Sequence, residues 1–301
     1  MSSRDRLLAA LVAVIWGANF PATALALDHF PPLFTVALRF GLIAIPAILF
    51  VPRPKIAVRW LLMVGAGIGT LQFAFLYLGM TAGVPSGLAS ILIQASAPFT
   101  VVIAGVFLRE HISSRQALGI AVAVVALGAI AVHRAQTGAL LPVVLVLCGA
   151  LGWAIGNVAT RKAAAPNALH LTLWMSVVPP LPMLGLSLMF EGPARVGASV
   201  RSALTLAALP SDLGLLYVIL VSTVGGYGIW TGLLARYPSS TVAPFSMLVP
   251  VVGVLASWVA FGQIPDATEL VAGAFVVAGV LFASYRPKAH YLEPEPVTST
   301  G

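Results

Sequence analysis

Residues 79–110 read Gly79-Met-Thr-Ala-Gly-Val-Pro-Ser-Gly-Leu-Ala-Ser-Ile-Leu-Ile-Gln94-Ala-Ser-Ala-Pro98-Phe-Thr-Val-Val-Ile-Ala-Gly-Val-Phe-Leu-Arg-Glu110. After the glycine-rich turn come about 25 residues with almost no charge, enough for a helix to cross a bilayer. Pro98 falls near the middle, where it has no N–H to give and its ring collides with the carbonyl of Gln94, four residues back. In lipid an unbonded carbonyl costs several kcal/mol, so such a break survives only against protein or a watery cavity. Gln94 to Pro98 is therefore expected to face a pathway.

The same device returns in Tyr237-Pro-Ser-Ser-Thr-Val-Ala-Pro-Phe-Ser246-Met-Leu-Val-Pro250, where Pro250 is expected to free the carbonyl of Ser246. At an offset of 153, Tyr77 matches Trp230, Gly79 matches Gly232, Pro85 matches Pro238, Ser86 matches Ser239 and Glu110 matches Gln263. Pro98 and Pro250 need a one-residue slip. Two broken helices in matching positions point to a transporter built from a repeat.

Composition agrees. Of the 301 residues 59% are hydrophobic and 8% charged, against about a quarter charged in soluble proteins. The formal charge of +7 comes from basic residues scattered over short loops, which argues for membrane orientation and against nucleic acid as a partner. The single cysteine, Cys148, lies in an apolar run, so neither a disulfide framework nor a metal site is expected. The start imitates a signal peptide, but its apolar run reaches Leu27 and reads as a retained helix.

Apolar runs fall at about 7–27, 33–51, 60–79, 84–108, 115–133, 140–160, 168–190, 212–235, 239–261 and 268–285. The expected fold is all-α and membrane-embedded, with ten transmembrane helices. The first five-helix repeat covers 1–135, the second 136–288, and a polar, proline-rich tail at 289–301 is expected to be disordered. Counted by alternating sides, twelve Lys and Arg lie on one face and three (Arg134, Arg195, Arg201) on the other, with Arg39 inside the second helix. By the positive-inside rule both termini are cytoplasmic. An odd number of helices per repeat makes the two repeats inverted. Trp16 in the first helix and Trp153 in the sixth correspond at an offset of 137, as do Thr35 and Thr172. Glycines spaced by four, among them Gly79, Gly83 and Gly87 and Gly228 with Gly232, are read as packing faces.

Two inverted halves, each with a Pro-broken fourth helix ending in a short turn (Leu-Arg-Glu110-His-Ile, Phe-Gly-Gln263-Ile-Pro), resemble the drug/metabolite transporter superfamily. Trp16-Gly-Ala-Asn19-Phe and Arg39 also fit. The resemblance covers about residues 7–285 and is narrowest to the ten-helix bacterial exporter branch, similar to aromatic and neutral amino acid exporters. It implies a multi-pass protein of the bacterial inner membrane that exports small metabolites by alternating access. Gln263 departs from the glutamate that ends the fourth helix of the first half, so that acid is not half of a symmetric pair.

Helix midpoints place Trp16, Asn19, Gln72, Tyr77, Gln94, Trp153, Asn157, Tyr227, Trp230 and Ser246 well inside the apolar slab. These are the candidate substrate-binding residues, together with Arg39. They are uncharged apart from the arginine, which suits a zwitterion; a phosphorylated substrate wants several cationic donors. For Trp16 and Trp153 cavity lining is favoured over packing, whereas for Asn19, Gln72 and Gln94 interhelical bonding is an equal reading. For Arg39, snorkelling to the outer interface or clamping a carbonyl is favoured over binding a carboxylate. Pro21, Pro85, Pro98, Pro238 and Pro250 are the candidate breaks or gates. Every Asp, Glu and His sits at a helix end, in a loop or in a tail, so no buried carboxylate and no proton relay is expected, and facilitated export follows. A proton-coupled antiporter is the alternative, and a membrane enzyme or scaffold the second. No catalytic residue, metal site or cofactor is expected. The partners are a small-molecule substrate and the bilayer, and the protein is a monomer or homodimer.

Overall fold

The computed structural model describes residues 1–136, 138–237 and 239–284. Pro238 and the tail at 289–301 lie outside the described residues. Apolar helical spans run Ser3–His29, Pro32–Phe50, Val58–Thr81, Ser86–Leu108, Ser114–Gln136, Leu140–Ala163, Ala168–Phe190, Leu209–Leu234 and Pro244–Phe261, followed by a shorter one at Ala267–Ala283. They are called here the first to tenth spans. The end of the bundle where the first span begins is the near end. Between the seventh and eighth spans, a stretch that reads as the longest loop, the chain forms a further helix at Pro193–Ser202.

The two halves are interlaced. The sixth span packs on the third and fourth, and the first span packs on the eighth and ninth, so each half's opening helix docks into the other half. The second span pairs with the seventh and the fifth with the tenth. Each of these pairings has its inverted counterpart, as two oppositely inserted five-helix repeats require.

Backbone irregularities repeat as well. The third span winds as a π-helix over Gly65–Gln72 and the eighth over Tyr217–Gly226. Shifting the first by 153 residues gives 218–225, inside the second. Such wider turns cluster at functional sites, and no periodicity in the sequence announces them. The fourth and ninth spans each tighten to a 3-10 turn, Ile93–Ala95 and Ala243–Leu248, just before the proline.

These turns correct the expectation of orphaned carbonyls. The Ser96 N–H is directed at the carbonyls of Ile93 and Gln94, and the Val249 N–H bonds the carbonyl of Ser246. Pro98 and Pro250 then fall in the first turn of a new helical piece, where a missing N–H costs nothing. Pro85 likewise caps the fourth span. Pro21 does not break its helix, and Pro46, not singled out in the sequence, is another proline within a span.

Close approach fixes the third span on the sixth. A Cβ on Gly67 would lie 2.6 Å from the Gly156 nitrogen and 2.8 Å from the Gly152 oxygen. Gly119 and Gly279 meet in the same way, since a Cβ on either would lie within 2.6 Å of the other's carbonyl oxygen, and they join the fifth and tenth spans. A Cβ on Gly228 or Gly232, by contrast, would meet nothing within 4 Å, so the packing read from their spacing is not formed among the described residues.

Carboxylates tie the ends. Glu191 receives the N–H groups of Leu33 and Phe34 at 2.7 and 3.1 Å and so caps the second span. At the near end Arg161 pairs with Glu110 and Arg236 with Asp5. At the far end Arg134 pairs with Glu269 and His133 with Asp266. Glu269 is only 1% exposed, which overturns the expectation of no buried carboxylate; its charge is balanced by Arg134.

Gly67→Ala is expected to lower the melting temperature of detergent-purified protein, at a cost of about 1–3 kcal/mol, because backbone must move. Gly128→Ala, whose new Cβ would meet nothing within 4 Å, is expected to be neutral or stabilising by up to about 1 kcal/mol. A second expectation concerns acid. Hydrogen bonding to the backbone of Glu269, and then His133, holds the Asp266 carboxyl below the ordinary aspartate range. A depressed folded value means stability that is present above that range and lost as pH falls through the lowered value. Asp266→Asn should therefore flatten the acid limb of a melting-temperature profile.

Candidate functional site

A cavity of about 490 Å³ lies at mid-bundle, a volume within the span of small-molecule sites, about 300–1,000 Å³. Ten of the eleven residues read from the sequence line it: Trp16, Asn19, Arg39, Gln72, Gln94, Trp153, Asn157, Tyr227, Trp230 and Ser246. Gln94 and Ser246, at the two kinks, share this one space. Tyr77 does not line it; fully buried behind the wall, its hydroxyl accepts a hydrogen bond from Arg39 at 2.8 Å.

The wall on one side is aromatic. The Trp16 ring centroid lies 5.1 Å from that of Tyr227 and 5.1 Å from that of Trp230, and its Nε1–H donates to the Ser222 carbonyl at 3.1 Å. That carbonyl belongs to the π segment of the eighth span. Asn157 reaches Thr100 at 3.3 Å, joining the sixth and fourth spans, and Gln94 reaches the Met247 sulfur at 3.7 Å, joining the fourth and ninth.

Arg39 departs from the snorkelling expectation. It is 3% exposed, and its guanidinium donates from Nη1 to Tyr77 and from Nη2 to Thr223, the latter at 2.9 Å. The Phe73 ring lies 4.0 Å from its Cζ, a cation–π distance. The charge is thus held inside the slab by three spans and turned to the cavity. Thr223 and Phe73 were not among the residues read from the sequence. The repeat offset was the available signal for Thr223, since at 153 it stands opposite Thr70.

The cavity is closed towards the far end. Ser86 Oγ donates to Ser257 Oγ at 2.8 Å, and Ser90 Oγ bonds the carbonyls of Gly87 and Pro250 at 2.6 and 3.3 Å. A Cβ on Gly253 would touch Ser90 Oγ at 2.5 Å. Small residues let the far halves of the fourth and ninth spans zip together. Beyond the kinks they part: the near half of the fourth, Ser96–Leu108, lies on the sixth span, and the near turn of the ninth lies on the first. The lining accordingly reaches Thr160, Ala168 and Leu234, towards the near end.

Two copies of one family model, the EamA-like transporter family, match residues 6–132 and 140–285. The chain belongs to the EamA-like transporter family. This family member is a multi-pass membrane transporter, not an enzyme. It is similar to a "Probable amino-acid metabolite efflux pump" of Salmonella typhimurium, 38% identical over 286 residues, 93% of this chain and 94% of the relative. A protein of the same description from Escherichia coli is 38% identical over 264 residues, 85% and 87% of the two chains. A "Probable terminal-alkyne amino-acid exporter" of Streptantibioticus cattleyicolor is 27% identical over 287 residues, 92% of each. A solved structure described as "Crystal structure of protein" superposes with a TM-score of 0.51 at 17% identity, over 94% of this chain and 98% of that one; it supports the fold alone.

If the EamA-like transporter works by parting the far halves of the fourth and ninth spans, joining them must stop it. Oxidising the Ser86→Cys/Ser257→Cys pair is expected to abolish solute movement in proteoliposomes, with reductant restoring it and either single variant unaffected. Undiminished movement through the cross-linked protein would sink this assignment.

Proposed function

We propose that this protein exports neutral amino acids and their metabolites, aromatic ones among them, across the inner membrane by alternating access. The observation that carries the reading is the cavity itself: an aromatic wall, amide side chains and, among the described residues, a single cation, in one volume between interlaced halves. A zwitterion with an apolar side chain suits that lining, whereas a phosphorylated solute finds one cation instead of the several it needs. The names of the relatives at 38% identity, amino-acid metabolite efflux pumps, support both the direction of transport and the amino-acid class.

Orientation follows from charge. Twelve basic residues against three put the near end and both termini in the cytoplasm. The cavity then reaches towards the cytoplasm and is shut by the Ser86–Ser257 zipper on the outside, the loading state of an exporter. Transport proceeds by the third and fourth spans rocking against the eighth and ninth.

Energy comes from the substrate gradient. Among the described residues no carboxylate lines the cavity, and the buried Glu269 sits at the far end, neutralised by Arg134. A proton-coupled cycle needs a titrating group on the pathway.

Proteoliposomes loaded with unlabelled phenylalanine are expected to accumulate labelled phenylalanine by counterflow, unaffected by a protonophore, while a sugar phosphate does not exchange. The reading is overturned if no amino acid exchanges. Collapse of the exchange by protonophore would transfer the protein to the proton-coupled class.

A further inference from the structure

We propose that Arg39 is the anchor for the substrate's carboxylate, with the side-chain oxygens of Gln72 and Asn19 receiving its ammonium group, so that the cavity selects α-amino carboxylates by both charges. This rests on the amino-acid reading above and specifies which atoms would hold the two ends.

Charge accounting comes first. A guanidinium stays protonated in proteins, and Arg39 is nearly fully buried in the slab. The four ion pairs found among the described residues are His133–Asp266, Arg134–Glu269, Arg161–Glu110 and Arg236–Asp5. None involves Arg39. Its immediate partners, Tyr77, Thr223 and the Phe73 ring, are neutral. A desolvated cation beside a cavity and without a protein carboxylate is a standing demand for an anion.

Geometry comes second. The two terminal nitrogens each spend a donor on the wall, which locks the plane of the fork, while Nε has no partner. The Asn19 and Gln72 side-chain oxygens are also buried and unpartnered. All three side chains line the same cavity. One unpartnered donor on a cation and two unpartnered acceptors, on side chains that line one cavity, together complement a zwitterion: a carboxylate accepts, an ammonium donates three ways. A bare amine leaves the arginine unneutralised, and an amidated amino acid does the same. Leaving a polar or charged partner unmatched is what makes such sites selective.

Position comes third. At the offset of 137 that relates the second and seventh spans, Arg39 falls opposite Ser176. The repeat supplies a symmetric frame, and the cation is an addition in one half only. Through Tyr77 on the third span and Thr223 on the eighth, the anchor touches both halves of the pathway.

The test is competition against labelled L-phenylalanine counterflow in proteoliposomes of the full chain. Unlabelled phenylalanine is expected to compete about tenfold to a hundredfold better than phenylalaninamide or 2-phenylethylamine, the difference set by one charge-assisted hydrogen bond. Arg39→Gln is expected to lose that discrimination, with phenylalanine weakened to the level of the amide, and Arg39→Lys to recover part of it. Equal competition by the amide on the unaltered protein overturns the inference, and this arm needs no variant to fold. Discrimination retained in Arg39→Gln overturns it as well. If phenylalanine and other amino acids fail to exchange at all, the transport reading fails and the anchor falls with it.

Discussion

A bilayer offers no hydrogen bonds to a peptide group, and that constraint organises this molecule from end to end. It forces the apolar runs into helices and dictates how the helices are allowed to fail. The ladder is irregular in the third, fourth, eighth and ninth spans, with proline at the break in the fourth and ninth, and in each the backbone answers with a different turn instead of an opening. The 3-10 turns before Pro98 and Pro250 pull carbonyls onto nearer amides. The π segments widen the helix and leave a carbonyl such as that of Ser222 for Trp16. These irregularities gather round the cavity, because there the freed groups have protein partners.

Interlacing gives the cavity its place. With the first span docked into the second half and the sixth into the first, neither half encloses a volume alone. The kinks then send the fourth and ninth spans together on one side of the membrane and apart on the other. A chain with inverted halves has two equivalent ways to arrange such a pair, and packed small-residue contacts favour one arrangement at a time over a continuum between them. In the alternating access proposed above, the Ser86–Ser257 contact belongs to one of those two arrangements.

Inside the cavity the decisive asymmetry is chemical. Aromatic and amide groups recur in both halves, but among the described lining residues Arg39 is the one cation, buried and held by neutral partners. Such a group costs the fold stability that an apolar side chain would not, which is reason to connect it with the solute. Glu269, equally buried, lacks that significance because Arg134 meets it directly and both sit at a helix end.

The sequence by itself determined the ten spans, their division into two inverted repeats and ten of the residues round the cavity, since hydrophobic length, charge bias and a constant offset are local or periodic properties that one dimension records. Tertiary structure alone decided the rest. Whether Arg39 reached the interface or turned inward depended on Thr223, 184 positions away, and Tyr77 passed from lining to support for the same reason. Gly67 proved a contact point and Gly232 did not, although their spacings look alike, because a glycine's value lies in the helix opposite. The π segments stayed hidden until the third and eighth spans met the sixth and first, for a wider turn is stabilised by what packs against it and not by its own residues.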